Sequence, residues 1–373
     1  MKPPYLIAGT LFFLLSAPFS RAFPDVIPDQ AHPETPTKSP TGEKGQKDSP
    51  AKETSATQAE KKFNKEADQQ SPSFQEKKWK GTQGAYESYI AYDYVGPAST
   101  NVGLGQNQRV DESYFDIRHQ IMRHTLLAFL VQGGLEYQHL GFNVPNTTLV
   151  PDRLDNLMAV TGVDFRWSEN DLLHIEVRPG FFTDWRGAGW NAFNAPLDVG
   201  YTRVISKRFQ WIVGGSLNTW RSSKALGAFG FRWQMTDRWK LKAYLPQPGI
   251  EYKAKTSLTL VFGADIRGDS YRVGPHFGDS KGAPALNSAL VDYQEIRVGP
   301  GFSWNIRPLI EVNMMAGYMT ARQFNFHNNG PKLNSSNAPF VSIAVHALFK
   351  LPGETLAIPQ RSNISLRNIF SFL

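Results

Sequence analysis

The chain contains no cysteine, and that single absence removes several classes. A disulfide-stapled secreted domain, a thiolate metal site, a cysteine nucleophile and a lipid-attachment cysteine behind a signal segment are all excluded. Past its first residues the chain also lacks any apolar run of about 18 residues, the length a spanning helix requires. Hydrophobic residues make up 41% of it and mean hydropathy is -0.37, which excludes a bundle of membrane helices. A bilayer could be crossed only by strands.

Motifs for chemistry are equally scarce. There is no His-Glu-x-x-His and no phosphate loop, and Gly103-Leu104-Gly105 lacks the third glycine of a dinucleotide fingerprint. His119 and His124 are five apart, which places them on opposite faces of a continuous strand and makes them poor partners for one metal. His174 and His346 fall on a polar face by parity, but spacing pairs neither with a serine and an acid. No catalytic, cofactor or metal site is expected. The net charge of +7 is dispersed and free of basic clusters interleaved with aromatics, so nucleic acid is not an expected partner.

What the chain does have is alternation. Between Asp292 and Thr320 two period-two segments flank a turn at Asn305 to Pro308. Ile296, Val298, Pro300, Phe302, Trp304 and Ile306 share one face, opposite Glu295, Arg297, Gly299, Gly301, Ser303 and Asn305. The return segment sets Ile310, Val312, Met314, Ala316 and Tyr318 against Glu311, Asn313, Met315 and Gly317. Each segment has about 10 residues or more, enough for a tilted strand to cross a membrane. Charges and glycines on the polar face suit a lumen better than a dry core.

The same pattern recurs from Tyr86–Val95 through Val341–Phe349. Short connections at Arg123 to Thr125, Ser168 to Asn170, Ser206 to Arg208, Thr236 to Asp237, Lys255 to Thr256 and Asn305 to Pro308 alternate with longer ones. The longer ones include Gly96 to Arg109, Asn143 to Pro151, Gly187 to Asn194, Pro275 to Ser288 and His327 to Ala338. Outer-membrane barrels alternate their turns in this way, provided Pro246 to Gly249 is a tight outer turn. Trp167, Trp211, Trp233, Trp239 and Trp304 stand near the short turns, and Trp185, Trp190 and Trp220 near the long loops. Two bands of amphipathic rings are what membrane interfaces favour. The expected fold is therefore all-β: a transmembrane antiparallel up-and-down β-barrel of about 12–14 strands, behind a disordered N-terminal extension.

Four regions are expected. Residues 1–22 read as a secretory signal peptide, with Lys2, the apolar Leu6 to Leu15 and Ser20-Arg21-Ala22 as a cleavage site. Residues 23–82, rich in Pro, Lys, Glu, Gln, Ser and Thr, read as a disordered periplasmic linker whose candidate anchors are Phe63, Phe74 and Trp79. Residues 83–351 form the barrel, and 352–373 a C-terminal tail.

Trp239-Lys240-Leu241, Pro246-Gln247-Pro248, Glu251-Tyr252, Gly263-Ala264-Asp265-Ile266-Arg267-Gly268 and Ser270-Tyr271-Arg272-Val273 together resemble a family of bacterial outer-membrane β-barrel proteins described only as a domain of unknown function. The layout agrees from Gln83 to Phe349, and the motifs fall between Thr236 and Val273. The resemblance implies fold and location and carries no activity. One departure is the tail. Outer-membrane barrels end on an aromatic residue read by the assembly machinery, whereas here the last strand ends near Phe349 and Ile369-Phe370-Ser371-Phe372 lies beyond it.

The lumen-facing candidates are Arg232, Lys240, Lys242, Lys253, Asp265, Arg267, Glu295, Arg297 and Glu311. Two arrangements fit them: opposite charges meeting across a narrow barrel and plugging it, or a positive row, Arg232 to Lys253, lining a water-filled path for anions or small solutes. The functional expectation is a passive pore or a structural envelope component in the outer membrane, in contact with lipid and the assembly machinery. The alternative is a barrel-type lipid hydrolase, which a lumenal serine and histidine within hydrogen-bonding distance near the outer rim would favour. The face assignment also predicts that Val298→Arg is costly and Arg297→Gln cheap.

Overall fold

The computed structural model describes residues 83–102, 107–124, 129–144, 148–168, 170–187, 189–307, 309–328, 330–350 and 355–356. The expected signal peptide and linker lie outside them, as does the tail apart from Thr355–Leu356.

Fourteen strands follow one another around a closed wall. They are β1 (Gln83–Asn101), β2 (Asn107–His124), β3 (Phe129–Asn143), β4 (Arg153–Arg166), β5 (Asp171–Val177, resuming at Gly180–Thr183), β6 (Phe193–Asn194, resuming at Leu197–Ser206) and β7 (Phe209–Leu217). The circuit continues with β8 (Ala225–Gln234), β9 (Trp239–Ala243), β10 (Gly249–Lys255), β11 (Leu258–Arg272), β12 (Leu290–Arg307), β13 (Ile310–Phe326) and β14 (Lys332–Ser335, resuming at Ala338–Lys350). Pro179 and Pro196 stand at the breaks in β5 and β6, where a residue without an N–H interrupts the ladder. Closure is direct: β1 pairs antiparallel with β2 on one edge and with β14 on the other, from Ala85↔Lys350 to Val95↔Phe340. The segment Thr355–Leu356 adds a parallel pairing to Gln83–Gly84.

Parity places the side chains as the alternation requires. Tyr92, Leu135, Phe229, Phe262, Tyr318 and Ile343 are exposed on the outer surface, while Asp93, Glu136, Arg232, Glu295 and Arg297 point inward and are buried. At the short-turn end Trp167, Trp233, Trp239 and Trp304 are exposed, Trp167 stacking on Tyr201 at 5.4 Å and Trp239 lying 4.7 Å from Tyr252. At the long-loop end Phe181, Trp185, Trp190 and Phe193 form a second aromatic group. Trp220 does not join it. It packs against the apolar cluster beside Phe182, with the Arg272 guanidinium 5.1 Å over its ring, because its loop folds onto the barrel top instead of outward.

Two irregularities shape the interior. Between Ile296↔Ala321 and Arg297↔Met319 the β12–β13 register shifts at Thr320, and this bulge reverses parity, turning Arg322, Phe324 and Phe326 inward. Wall height is also uneven. β1 has 19 residues and β12 has 18, but β9 and β10 have 5 and 7, so the outer half of the wall between β8 and β11 holds no strand. The loop 218–224 spans that seam: Asn218 donates to Asp269, Arg221 to the Gly268 carbonyl and Ser222 to Asp292.

The main apolar core sits inside the outer half of the barrel. Leu149 and Val150 from one loop, and Val273, Phe277 and Leu286 from another, pack on Phe142, Tyr293, Phe324 and Phe326 of the wall. The long loops thus fold into the barrel mouth.

Candidate functional site in the lumen

Below that apolar seal the lumen is crossed by charges. Arg297 on β12 donates from Nη1 to Asp93 on β1 at 2.7 Å and from Nη2 to Glu112 on β2 at 2.9 Å, and its Nε meets Glu295. Arg322 donates from Nη1 to Glu112 at 3.1 Å and from Nη2 to the Val110 carbonyl at 2.9 Å. The Tyr293 hydroxyl lies 2.7 Å from Glu112 and 2.5 Å from Glu295. Arg267 bridges Asp93 and Asp265, the latter at 2.6 Å, with its guanidinium 4.6 Å above the Tyr114 ring. Three strands stand between β2 and β12 along the wall, so the 2.9 Å contact crosses the interior. Carboxylates and guanidiniums with so little water are tolerated because each is paired and hydrogen-bonded.

Of the sequence-predicted residues, Asp265, Arg267, Glu295 and Arg297 belong to this network. Arg232, Lys240 and Lys242 come together elsewhere, on the β8–β10 wall. Lys240 donates to Glu251 at 2.7 Å and Lys242 pairs with the same carboxylate. Arg232 is the cross-strand partner of Lys242, and Lys253 is the next inward residue after Glu251 on β10. Glu311 joins neither group and accepts from Ser303 at 2.8 Å. Sequence reasoning missed Arg322, whose parity is reset by the Thr320 bulge, and Glu112, Asp93 and Glu251 as their partners. An arginine at a nominally lipid-facing position next to Phe324 was the available signal for a bulge.

The histidines hold structural partners. His174 Nδ1 is 2.5 Å from Asp164 and His346 Nε2 is 2.9 Å from Glu87; His119 Nδ1 is 2.8 Å from the Tyr86 hydroxyl on the outer face. One serine, one histidine and one acid do meet near the outer rim, on the outer face of β12–β13. Ser222 Oγ donates to Asp292 Oδ2 at 2.6 Å, His327 Nε2 is 2.9 Å from Asp292 Oδ1, and the same Nε2 is 3.3 Å from Ser222 Oγ. A nucleophilic relay needs the acid and the hydroxyl on opposite ring nitrogens. Here one nitrogen faces both, and the hydroxyl proton points at the carboxylate. Among the described residues no cluster of His, Cys, Asp or Glu is set to hold a metal ion.

A closed strand wall, a paired and charged interior, and an apolar exterior bounded by aromatics define a membrane-spanning β-barrel. Residues 119–344, more than half of the chain, match the family described as Domain of unknown function (DUF6268), and the chain belongs to that family. No curated protein matches the sequence. Among solved structures the chain is similar to the TodX monoaromatic hydrocarbon channel, in a deltaS2 mutant, at 8% identity and a TM-score of 0.42 over 73% of this chain and 91% of that one. It is also similar to an outer membrane channel from Pseudomonas putida F1, at 10% identity and a TM-score of 0.40 over 72% of this chain and 96% of that one. These overlaps carry no residue role across.

Proposed function

We propose that the protein is a passive pore of the outer membrane whose outer mouth is sealed by its own loops. The observation that carries this reading is the make-up of the seal. Leu149, Val150, Val273, Phe277 and Leu286 belong to loops, so their removal leaves every strand of the wall in place. Below them the inner half is lined by ionic side chains, and Lys240 and Lys242 retain 21% and 29% of their side-chain exposure inside the lumen. The exposed outer aromatics and Phe349 at the end of β14 support a bilayer location and recognition by assembly machinery. The cross-lumen ion network holds the narrow half in shape, which is the structural part of the role. The triangular contact of Ser222, Asp292 and His327 speaks against lipid hydrolysis.

Single-channel recording on the refolded full chain in a planar bilayer tests this, beside a Phe277→Ser/Leu286→Ser variant. Low conductance in the first and a steady open level in the second are expected. A variant that folds and inserts, yet stays silent, would overturn the pore and leave a purely structural envelope role.

A further inference from the structure

Two outer loops leave a cleft between them. Residues 184–187 follow β5 and residues 273–289 join β11 to β12, and the Asp184 carboxylate ties the two together by accepting from the Gly274 N–H at 3.0 Å. Arg186, Gly187, Pro275, His276, Phe277 and Ser280 line a cavity of about 330 Å³ there. At water's liquid volume of about 30 Å³ this admits roughly ten non-hydrogen atoms. The cleft opens to the outer solution, since the His276 side chain is 85% exposed, while Phe277 is a buried member of the seal.

Both lips of the cleft are fixed by their own backbone. Gly187 has a φ of 80°, and a Cβ on it would come within 2.9 Å of the Pro275 Cδ, so glycine keeps both the turn and the gap. A Cβ on Gly274 would collide with the Arg186 carbonyl. Between these contacts Trp185 is held at a φ of 58°, a conformation that is costly for a bulky residue and that clusters at binding and catalytic sites. Arg186, next in the chain, is anchored by its N–H on Asp184 at 2.9 Å. On the other lip Phe277 stacks on Phe326 at 5.9 Å, with the Lys281 ammonium 5.1 Å over its ring, and its carbonyl accepts from the Ser280 hydroxyl at 2.9 Å.

The lining combines apolar surface with one well-placed donor. Pro275 and Phe277 supply the first. The Arg186 guanidinium supplies the second: its Nη2 pairs with Asp152, an exposed pair of the kind that contributes little to stability, and among the described residues no acceptor meets its Nε or Nη1. One guanidinium can serve several carboxylates, as Arg297 does in this barrel with Asp93, Glu112 and Glu295. A second carboxylate on Arg186 therefore needs no excess of positive charge around it.

We propose that this cleft is a binding site for a small monocarboxylate with a compact apolar body. The carboxylate takes charge-assisted hydrogen bonds from Arg186, and the body removes Pro275 and Phe277 surface from water. The occupant rests on the outer side of the seal and needs no open lumen, so the site stands apart from the pore reading.

Ligand-observed NMR titration of the full chain in zwitterionic lipid nanodiscs, with empty discs as blank, tests it using cyclohexanecarboxylate, cyclohexylmethanol and acetate as probes. Saturable binding of cyclohexanecarboxylate is expected, with a Kd on the order of 1 mM for a ligand of about ten atoms. The alcohol should bind about 5-fold or more weakly, and acetate not at all. Arg186→Gln should weaken the carboxylate by a similar factor without moving the alcohol, and Ser280→Phe, which fills the cavity, should abolish both. Heat-dependent gel migration confirms that each variant is folded. Equal binding of acid and alcohol, or either variant binding the acid as the parent does, would overturn the site. Conductance separates the two ideas: an unsealed barrel that conducts while the parent ignores the acid keeps the pore and loses the site, and a silent one whose parent binds it does the reverse.

Discussion

Arg297 and Glu112 lie on strands separated by three others along the wall, yet their side chains meet at 2.9 Å across the lumen. Arg297 is only 1% exposed and also serves Asp93 and Glu295. Removing the cation would leave three carboxylates buried without it, and breaking such a pair costs about 3–5 kcal/mol. Arg297→Gln is therefore expected to be as damaging in a folding titration as Val298→Arg, which puts a charge on the lipid face at about 2–4 kcal/mol near the midplane. The expectation from parity alone, that a lumenal arginine is cheap to replace, does not hold where the lumen is packed. A loss below about 1 kcal/mol for Arg297→Gln would mean that water fills the interior there.

What was legible in the sequence follows from where information is local. Parity from Asp292 to Thr320 depends only on neighbours in the chain, and so the faces of β12 and the first half of β13 were readable. Beyond Thr320 a single extra residue reverses the pattern, and Arg322 moved from the expected lipid face to the centre of the network. The position of Ile250 to Ala254 as a strand was readable, and with it the wall reaches fourteen strands. Pairing across the lumen was not readable, because Asp93 and Arg297 are 204 residues apart and meet only through closure of the wall. Loop direction was hidden for a similar reason: nothing local says that Phe277 turns inward or that Trp220 leaves the interfacial band.

Asp184 gives the mouth a pH dependence. Its carboxylate accepts from the backbone N–H groups of Arg186 at 2.9 Å and Gly274 at 3.0 Å, tying two outer loops together. Burial nevertheless raises its pKa above the ordinary aspartate value, and the two N–H groups offset this only in part. An acid with a raised folded-state pKa is harder to ionise folded than unfolded. Loop docking should thus be firmest below the ordinary aspartate pKa that the undocked carboxyl has, and its contribution is lost as pH rises from there through the raised folded-state value. Protease cutting of the outer loops at a series of pH values should accelerate on the alkaline side, and Asp184→Asn should flatten the profile. An Asn variant with an unchanged profile would assign the dependence to another group.

Asp292 is the hub that fastens the loop 218–224 over the strandless part of the wall. It accepts from the Ser222 N–H at 3.1 Å, the Ser222 hydroxyl at 2.6 Å and the Ser270 hydroxyl at 2.6 Å, and it pairs with His327. Asp292→Ala is expected to expose Arg221 and Lys224 to trypsin at a much higher rate, with a global stability loss of about 1–3 kcal/mol. Ser222→Ala should have a smaller effect on cutting, because the Arg221 and Asn218 contacts remain. Neither substitution should alter lipid turnover by the purified barrel, measured as fatty-acid release from phospholipid. Release by the parent that Ser222→Ala abolishes would make the hydrolase reading the correct one.

Selectivity should reside on the β9–β10 wall, and its sign can be reversed there. Any ion crossing the inner half of an opened barrel passes Lys240 and Lys242, which are partly exposed to the lumen and share Glu251. Rings and rows of fixed charge set the local counter-ion population. In the unsealed Phe277→Ser/Leu286→Ser background, the reversal potential in a potassium chloride gradient should take the anion-selective sign. Adding Lys240→Glu/Lys242→Glu converts a locally positive wall into a negative one beside Glu251, and the reversal potential should change sign. High salt should shrink both potentials, since the Debye length falls to about 3 Å at 1 M. The cross-lumen network makes the opposite expectation for Arg297 and Arg322: both are already neutralised by paired carboxylates, so replacing them should alter folding before it alters selectivity. Unchanged selectivity in the double glutamate variant would move the filter away from β9–β10.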